Sequence, residues 1–282
     1  MKQIRVGLNG FGRIGRAIAR IASEKDFLSI EAINTGKTTP ELLAYSLKYD
    51  STYRTFHKEV THQENGITID GRFIPSYNQR DPQLIPWGDH QIDVVIDCTG
   101  AFKDREGLSK HLRDSVRKVI LTVPAENNDS IKHVVMGVND TSFDWHSADI
   151  ISNASCTTNC AAVMVKVLSD AFGIESGFIS TTHSYTSSQP TVDEPNKKFT
   201  RGRAAALSII PTTTGASKAV CFVSDMSNNM LAGVALRVPT PVGSITDLTC
   251  LLGRETSVEE INETFKNRAG GDMSGILGFE TI

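Results

Sequence analysis

The 282-residue sequence contains no apolar run of membrane-spanning length, no internal repeat and no low-complexity segment. The first absence excludes a helical membrane protein, and the others exclude a solenoid and a disordered linker. Cysteine is scarce. Five in a chain this long do not make a secreted disulfide framework, so a reducing compartment is expected. Excess charge is scarce too: a formal net charge of −3 argues against non-specific binding to nucleic acid or anionic membrane, leaving only a local basic pocket open. Met1-Lys2-Gln3-Ile4-Arg5 runs straight into a strand, so no signal peptide is expected and the cytoplasm follows by default. What remains is ordinary, with 39% apolar and 22% charged residues and enough chain for one large core or, as expected here, two.

Ile4, Val6 and Leu8 read as a buried strand. Asn9-Gly10-Phe11-Gly12-Arg13-Ile14-Gly15-Arg16 follows, and Ala17, Ile18, Ile21 and Ala22 then recur at helical spacing. Leu28 to Ile33 reads as the next parallel strand. Thr39, Pro40 and Glu41 supply the N-cap, first position and first-turn acid of another helix. With further strands expected at Ile92–Asp97 and Lys118–Leu121, the first half predicts a Rossmann-type, doubly wound parallel α/β sheet over residues 1–153. The second half, 154–282, predicts an α+β catalytic domain. A helix begins near Cys156 with Val163, Val165 and Leu168 buried, a strand ends near His183, and Ser184–Ala204 has no period. Leu231–Val238 and Ser244–Leu251 suit a mostly antiparallel sheet, and Ser257-Val258-Glu259-Glu260 is a capping box.

Gly10-x-Gly12-x-x-Gly15, between a strand and a helix, is a dinucleotide fingerprint. The first glycine makes the tight turn, the second admits the pyrophosphate and the third lets helix and strand pack closely. The anion then meets unpaired N–H groups at a helix N-terminus. An acid for the ribose hydroxyls is expected about twenty residues on, but Thr35 stands there, and Glu31 lies inside the strand. Gly36-Lys37-Thr38 is not a triphosphate loop, because the glycine required five positions earlier is Glu31.

Cys156, at a helix start, is a candidate nucleophile. The helix dipole, backbone N–H groups and a nearby histidine lower such a thiol to roughly 3.5–7.5. Cys160, one turn on, reads as a small buried residue in preference to a metal or disulfide partner, and further zinc ligands at usual spacings are lacking.

Asn9 to Arg16, Ser155-Cys156-Thr157-Thr158-Asn159-Cys160, Thr182-His183-Ser184-Tyr185-Thr186 and Arg237-Val238-Pro239-Thr240 together closely resemble phosphorylating glyceraldehyde-3-phosphate dehydrogenases. Lys48-Tyr49-Asp50-Ser51, Val138-Asn139 and Ile209 to Gly215 match as well, and the similarity covers essentially the whole chain. The resemblance implies oxidative phosphorylation of glyceraldehyde 3-phosphate by inorganic phosphate, through a thioester on Cys156 with His183 as its activator. It gives Thr186 and Arg237 the substrate phosphate. Ser155, Thr157, Thr214, Gly215 and Arg201 take the attacking phosphate, and Arg203 braces the loop, although Arg201 and Arg203 can exchange roles. Gly10, Gly12, Arg13, Ile14, Gly15, Arg80 and Thr122 match cofactor contacts.

Three departures from the family pattern matter. Thr35 replaces the aspartate that repels a 2′-phosphate, and Thr35, the Gly36 backbone and Lys37 can supply donors to one. Glu194-Pro195, which the resemblance sets against a neighbouring subunit's cofactor, opposes this. The expectation is therefore use of both NAD and NADP with a lean to NADP. Ser188 stands in place of an aspartate beside the substrate phosphate. Finally, the sequence stops at Gly278-Phe279-Glu280-Thr281-Ile282, before the family's last strands, its nicotinamide-orienting asparagine and its C-terminal helix. A partial sequence is preferred to a damaged relative, because the catalytic motifs are intact. The resemblance also implies a homotetramer, with Ser184–Ala204 as the loop reaching a neighbouring subunit. Alternatives are erythrose-4-phosphate dehydrogenase, which Thr186 and Thr212-Thr213-Thr214-Gly215 disfavour, and a non-catalytic nucleotide-binding relative.

Overall fold

The structure, a computed structural model, describes residues 3–127, 129–227 and 229–281. The chain forms two compact units. One runs to His133 and resumes over Asp144–Ala154, and the other takes Val134–Phe143 and the chain from Ser155 onward. The boundary thus lies one residue beyond the division expected from sequence, and Val134–Phe143 is lent to the second unit. Packing explains the loan: Val138 joins an apolar cluster of Val163, Val167, Met273, Phe265 and Leu277.

The first unit contains β1 (Ile4–Asn9), β2 (Leu28–Asn34), β3 (Tyr49–Asp50), β4 (Arg54–Thr55), β5 (Val60–Gln63), β6 (Gly66–Ile69), β7 (Arg72–Tyr77), β8 (Val94–Asp97), β9 (Lys118–Leu121), β10 (Lys132–His133) and β11 (Ile150–Ser152). Its helices are α1 (Arg13–Ala22), α2 (Pro40–Lys48) and α3 (Arg105–Ser109). Nine strands form one sheet in the order β10-β11-β9-β8-β1-β2-β7-β6-β5. The pairings from β10 across to β7 are parallel, whereas β7, β6 and β5 pair antiparallel, so the expected parallel sheet carries an antiparallel edge. The run from β5 to β7 has turns too short for a crossover helix, and a hairpin is the only pairing such turns allow. Val6, Leu8, Ile30 and Ile33 are buried against α1 and α2, as strands covered on both faces require. Thr39 caps α2 by accepting from the Leu42 N–H, with Pro40 next, as its sequence predicts.

The order of strands β8-β1-β2 makes β1 the point where the winding reverses, and the crevice beyond its C-terminal end is where such sheets bind ligands. The Gly10 loop sits there. Behind it, a fully buried polar chain joins Asn34, Asn9, Asp97, His111 and Trp87. The Asn34 amide donates to Asn9 at 2.7 Å, Asn9 donates to Asp97 at 2.7 Å, and the Trp87 indole donates to His111 Nδ1 at 3.0 Å. Buried polar groups must be paired, and this chain ties the ends of β1, β2 and β8 together.

The second unit contains α4 (Cys156–Phe172), β12 (Ile174–Ser184), β13 (Ile210–Thr212), α5 (Ala216–Val223), β14 (Leu231–Val238), β15 (Ser244–Leu252) and α6 (Val258–Gly270). Its sheet order is β13-β14-β12-β15. The outer pairs are antiparallel and the central β14–β12 pair is parallel. Although β14 and β15 follow one another in sequence, they do not pair; they flank β12 on opposite sides. Val163, Val165 and Leu168 of α4 are buried, as their spacing predicts. The Ser257 hydroxyl caps α6 by accepting from the Glu260 N–H, but only half of the expected capping box forms. Glu260 turns instead to Arg254 and Thr256, because a charged fork outbids a backbone amide.

Candidate active site

The catalytic candidates meet within the second unit. Ser155 is the N-cap of α4, its hydroxyl accepting from the Thr158 N–H at 3.0 Å, and Asn159 donates to the Ser155 carbonyl. Ala154 enters this cap at φ 56°, a left-handed conformation that costs a residue with a Cβ about 1–2 kcal/mol. The turn sets Cys156 at the first helical position, exposed, where the dipole favours a thiolate.

Opposite, at the end of β12, stands His183, buried at 8% exposure. Its Nε2 lies 3.1 Å from Cys156 Sγ, and its Nδ1 lies 2.7 Å from the Ser184 carbonyl oxygen. The contact draws the two groups' proton affinities together. The hydrogen bond to His183, helped by the Thr157 N–H and hydroxyl, holds the Cys156 thiol below its ordinary value against the opposing effect of burial. The same bond to Cys156, followed by that to Ser184, holds His183 above its own. A proton on Nδ1, given to Ser184, leaves the Nε2 lone pair facing the thiol, which is the tautomer a general base needs.

Arg237, on β14 in register with His183, brings a guanidinium to the same place. Its Nη1 donates to the Ser184 carbonyl at 2.8 Å and lies 3.0 Å from His183 Nδ1. Burial lowers its proton affinity and the charge of Arg201 adds to that, so two cations share this corner. Arg201 Nε donates to the Thr212 hydroxyl at 2.9 Å. Arg203 instead pairs with Asp193 at 2.5 Å, and Asp193 also accepts from the Ala204 N–H, so Arg203 braces the loop. Thr186 and Ser188 join their hydroxyls at 2.9 Å. The Thr214 hydroxyl accepts from the Ala216 N–H, the first of α5, and the N-cap Gly215 adds no side-chain bond of its own. Cys160, expected to be buried, is exposed. It is exposed like Cys156 one turn earlier, while Ala161, Ala162, Val163 and Val165 take the buried side.

The three fingerprint glycines, in the first unit, divide their work as the motif requires. Gly10 has φ +99°, and a Cβ there would come within 2.9 Å of the Cys98 and Thr99 backbone. A Cβ on Gly15 would overlap the Gly10 carbonyl oxygen, whereas one on Gly12 meets nothing within 4 Å. Gly12 caps α1 without any side-chain bond, so the helix offers unpaired N–H groups beside open space. These features fit a pyrophosphate. Arg13 leans to Asp50 at 3.8 Å and over the Tyr53 ring, Ile14 is exposed, and Arg80 is exposed. The Thr122 hydroxyl donates to the Asp97 carbonyl at 3.0 Å, an ordinary strand-end contact. Thr35 donates to Asn78 at 2.9 Å, Gly36 has φ +81° and Lys37 is exposed. Glu31 is fully occupied by Arg72 at 2.5 Å, Ser29 and Arg5, so it cannot serve as the missing ribose acid.

Residues 4–105 match the glyceraldehyde 3-phosphate dehydrogenase NAD binding domain, and residues 155–282 match the C-terminal domain of the same enzymes. The chain belongs to the glyceraldehyde-3-phosphate dehydrogenase family. It is 45% identical to glyceraldehyde-3-phosphate dehydrogenase 1 of Nostoc sp., over 99% of this chain and 81% of that protein. Against the Geobacillus stearothermophilus glyceraldehyde-3-phosphate dehydrogenase it is 45% identical, over 98% of this chain and 82% of the relative. The same figures hold for glyceraldehyde-3-phosphate dehydrogenase 1 of Candida glabrata. Membership of this dehydrogenase family makes the first unit a nicotinamide-cofactor domain and the second its catalytic partner. Among the described residues, no helix is long and apolar enough to cross a membrane, and no group of three or more His, Cys, Asp or Glu is placed to hold a metal.

Sequence reasoning missed the Ser184 carbonyl, Thr158, Asn159 and Thr212, which hold the site residues in place. Only the first turn of α4 carried a readable signal, since a serine just before a helix start is a cap residue.

Proposed function

We infer that this protein oxidises glyceraldehyde 3-phosphate, phosphorylating it with inorganic phosphate to an acyl phosphate and passing hydride to NAD or NADP. The observation that carries the reading is the 3.1 Å contact of Cys156 Sγ with His183 Nε2 at the N-terminus of α4, beside Arg237. Cys156 Sγ gives its proton to Nε2 and attacks the aldehyde carbon, forming a hemithioacetal. The imidazolium N–H then faces the new oxyanion, stabilises it and hands its proton over, leaving a neutral hemithioacetal and a neutral His183. A bound nicotinamide would supply the hydride acceptor, and Cys156 would then carry the thioester. His183 takes up the hemithioacetal proton as that carbon is oxidised, and phosphate cleaves the thioester, freeing the thiolate. Thr186 and Arg237 bind the substrate phosphate. Ser155, Thr157, Arg201, Thr214 and Gly215 serve the attacking phosphate. Thr157 donates toward the sulfur, and the open N-terminus of α5 at Gly215 supports its part as an anion seat.

The cofactor lies on Gly10, Gly12, Arg13, Ile14 and Gly15, with Arg80 and Thr122 at its flanks. With Thr35 in place of an acid and Glu31 committed to Arg72, no carboxylate opposes a 2′-phosphate on this turn. Gly36 and Lys37 supply donors, which supports use of both cofactors with a preference for NADP. The largely exposed Phe199, Leu207 and Ile209 support association into a homotetramer, since isolated subunits rarely leave such residues to water.

Steady-state turnover tests this reading directly. Strong phosphate-dependent activity with glyceraldehyde 3-phosphate is expected, with higher kcat/KM for NADP than for NAD. Preference for erythrose 4-phosphate, phosphate-independent turnover, or cofactor binding without a burst of reduced nicotinamide would sink it.

A further inference from the structure

The turn that follows β2 is tied to the segment that follows β7. The buried Asn34 carboxamide grips the Gln79 backbone twice: its oxygen accepts from the Gln79 N–H at 2.8 Å, and its Nδ2 donates to the Gln79 carbonyl at 2.9 Å. Asn34 Nδ2 also donates to Asn9, beside Gly10, at 2.7 Å. The Thr35 N–H donates to the Tyr77 carbonyl at 2.9 Å. At the surface, the Thr35 hydroxyl meets Asn78 Oδ1 at 2.9 Å and the Thr38 carbonyl only at 3.4 Å, so its one proton belongs to Asn78. Asn78-Gln79-Arg80 is thereby fixed against Thr35-Gly36-Lys37, although Thr35 and Asn78 are 43 residues apart. Donors held this way lose little freedom when a ligand arrives.

The Thr35 bond decides what Asn78 offers. A carboxamide whose oxygen accepts from Thr35 turns its two N–H donors away from that contact. Among the described residues, the Asn78 amide nitrogen, the Lys37 ammonium and the Arg80 guanidinium have no hydrogen-bond or ion-pair partner, and all three side chains are exposed. Exposed cations are commonly left to water. Here they flank a positioned amide where the neighbouring carboxylates are engaged: Glu31 holds Arg72, and Asp81 accepts from the Gln83 N–H and faces Lys110 at 3.9 Å.

We propose that Asn78 is a specificity-determining residue for the cofactor, its amide N–H groups binding the 2′-phosphate of NADP while Lys37 and Arg80 supply the charge. A phosphate oxygen accepts from an amide and from cations alike. The same bond to Asn78 leaves the Thr35 oxygen with lone pairs for a ribose hydroxyl, which is what NAD presents at that place. One contact thus fits the turn to both cofactors, with an acceptor for NAD and donors for NADP.

The inference rests on the reading that a nicotinamide dinucleotide lies on the Gly10 loop with its adenosine ribose at Thr35, and its test reads binding, not turnover. Titration calorimetry on the full chain gives Kd for NAD and for NADP. Asn78→Ala is expected to weaken NADP about tenfold, the worth of a hydrogen bond to a charged group, and to leave NAD within about twofold. Asn78→Asp keeps an oxygen for Thr35 but sets a negative charge where the donors stood, so NADP should weaken by more than about tenfold while NAD holds. A ratio of the two Kd values that moves in neither variant overturns the proposal. Equal weakening of both cofactors overturns it too, because Asn78 would then only hold the loop. A second measurement depends on no variant. Adenosine 2′,5′-bisphosphate is expected to bind the wild type about tenfold more tightly than adenosine 5′-monophosphate, with the gap narrowing as potassium chloride is added. Equal affinities overturn the proposal. The two readings fail separately. A ratio that moves in a protein with no glyceraldehyde 3-phosphate turnover sinks the reaction assignment alone, and an unmoved ratio in an active enzyme sinks this inference alone.

Discussion

Thr186 and Ser188 share a hydrogen bond between hydroxyls, 2.9 Å apart, at the point where the family pattern sets a carboxylate beside the substrate phosphate. Because either hydroxyl can donate, Thr186 can receive from Ser188 and keep its own proton for a phosphate oxygen. An aspartate acceptor would claim that proton. Thr186→Val is therefore expected to raise KM for glyceraldehyde 3-phosphate about tenfold, the worth of one hydrogen bond to a charged group, with kcat little changed. Ser188→Ala should raise it by no more than about threefold. Steady-state kinetics of the two variants side by side decide the matter, and equal effects would contradict the assigned hierarchy.

The cysteines should separate sharply by reactivity. His183 and the start of α4 hold Cys156 low, whereas burial, with Asp97 beside it, pushes Cys98 up to about 12. At neutral pH iodoacetamide is expected to label Cys156 first and to leave Cys98 untouched, as peptide mass spectrometry would show. His183→Asn should slow Cys156 labelling and cut kcat by two orders of magnitude or more, on the order of what general-base removal costs. Labelling of Cys98 ahead of Cys156 would contradict the geometry.

The glycines of the nucleotide loop offer a dissociation between stability and binding. Gly15→Ala drives a methyl into the Gly10 carbonyl and should destabilise the first unit by about 1–3 kcal/mol. Gly12→Ala places its methyl in open space, so Tm should hold while affinity for nicotinamide dinucleotide falls at least tenfold. Calorimetry with and without cofactor measures both. A Gly12→Ala protein that binds normally would remove the pyrophosphate from this loop.

Acid should loosen the first unit through His133. Its ring is buried and accepts from the Ala125 N–H at Nε2, and burial lowers its proton affinity. The folded value thus lies below the unfolded one, near 6.5, so the unfolded chain binds more protons between the two. Stability contributed by the neutral ring is complete above that value and is lost as pH falls from about 6.5 toward the folded value. Tm against pH should fall less steeply over this window in His133→Gln, whose amide oxygen can still accept from Ala125. Parallel curves would show that another group titrates.

The proposed lean to NADP makes Thr35 the residue to change. Thr35→Asp restores a carboxylate at the ribose end and should raise the NAD-to-NADP ratio of kcat/KM by at least tenfold, chiefly through a weaker KM for NADP. Lys37→Ala should move the ratio the same way and by less. An unchanged ratio in both variants would place the 2′-position elsewhere.

Much of this was legible in the sequence because the informative residues are governed by local rules. Gly10, Gly12 and Gly15 obey backbone sterics, Thr39-Pro40 obeys capping chemistry, and Cys156 and His183 sit in motifs whose resemblance extends along the chain. The parts that were not legible depend on contacts distant in sequence. Nothing local shows that Val138 belongs to the Val163–Met273 cluster, or that β14 and β15 avoid each other to flank β12. The exposure of Cys160 is settled by what covers α4, and its spacing from Cys156 is silent on that. Ala154 escaped notice because an alanine carries no mark of a left-handed φ. Glu260 looked like a cap and is an ion-pair partner, since Arg254 approaches from outside the motif.

The placement of β12 between two later strands has a consequence for how the enzyme becomes active. Cys156 and His183 are 27 residues apart, but Arg237 lies 54 residues beyond His183 and reaches it only when β14 closes onto β12 in parallel register. Long loops close slowly, and parallel pairing is among the last structure a chain acquires. Both neighbours of β12 must be synthesised before its end is fixed. Thiol reactivity in a refolding chain is thus a clock for the final sheet closure, and a nascent polypeptide that already carries both catalytic residues stays chemically quiet until then.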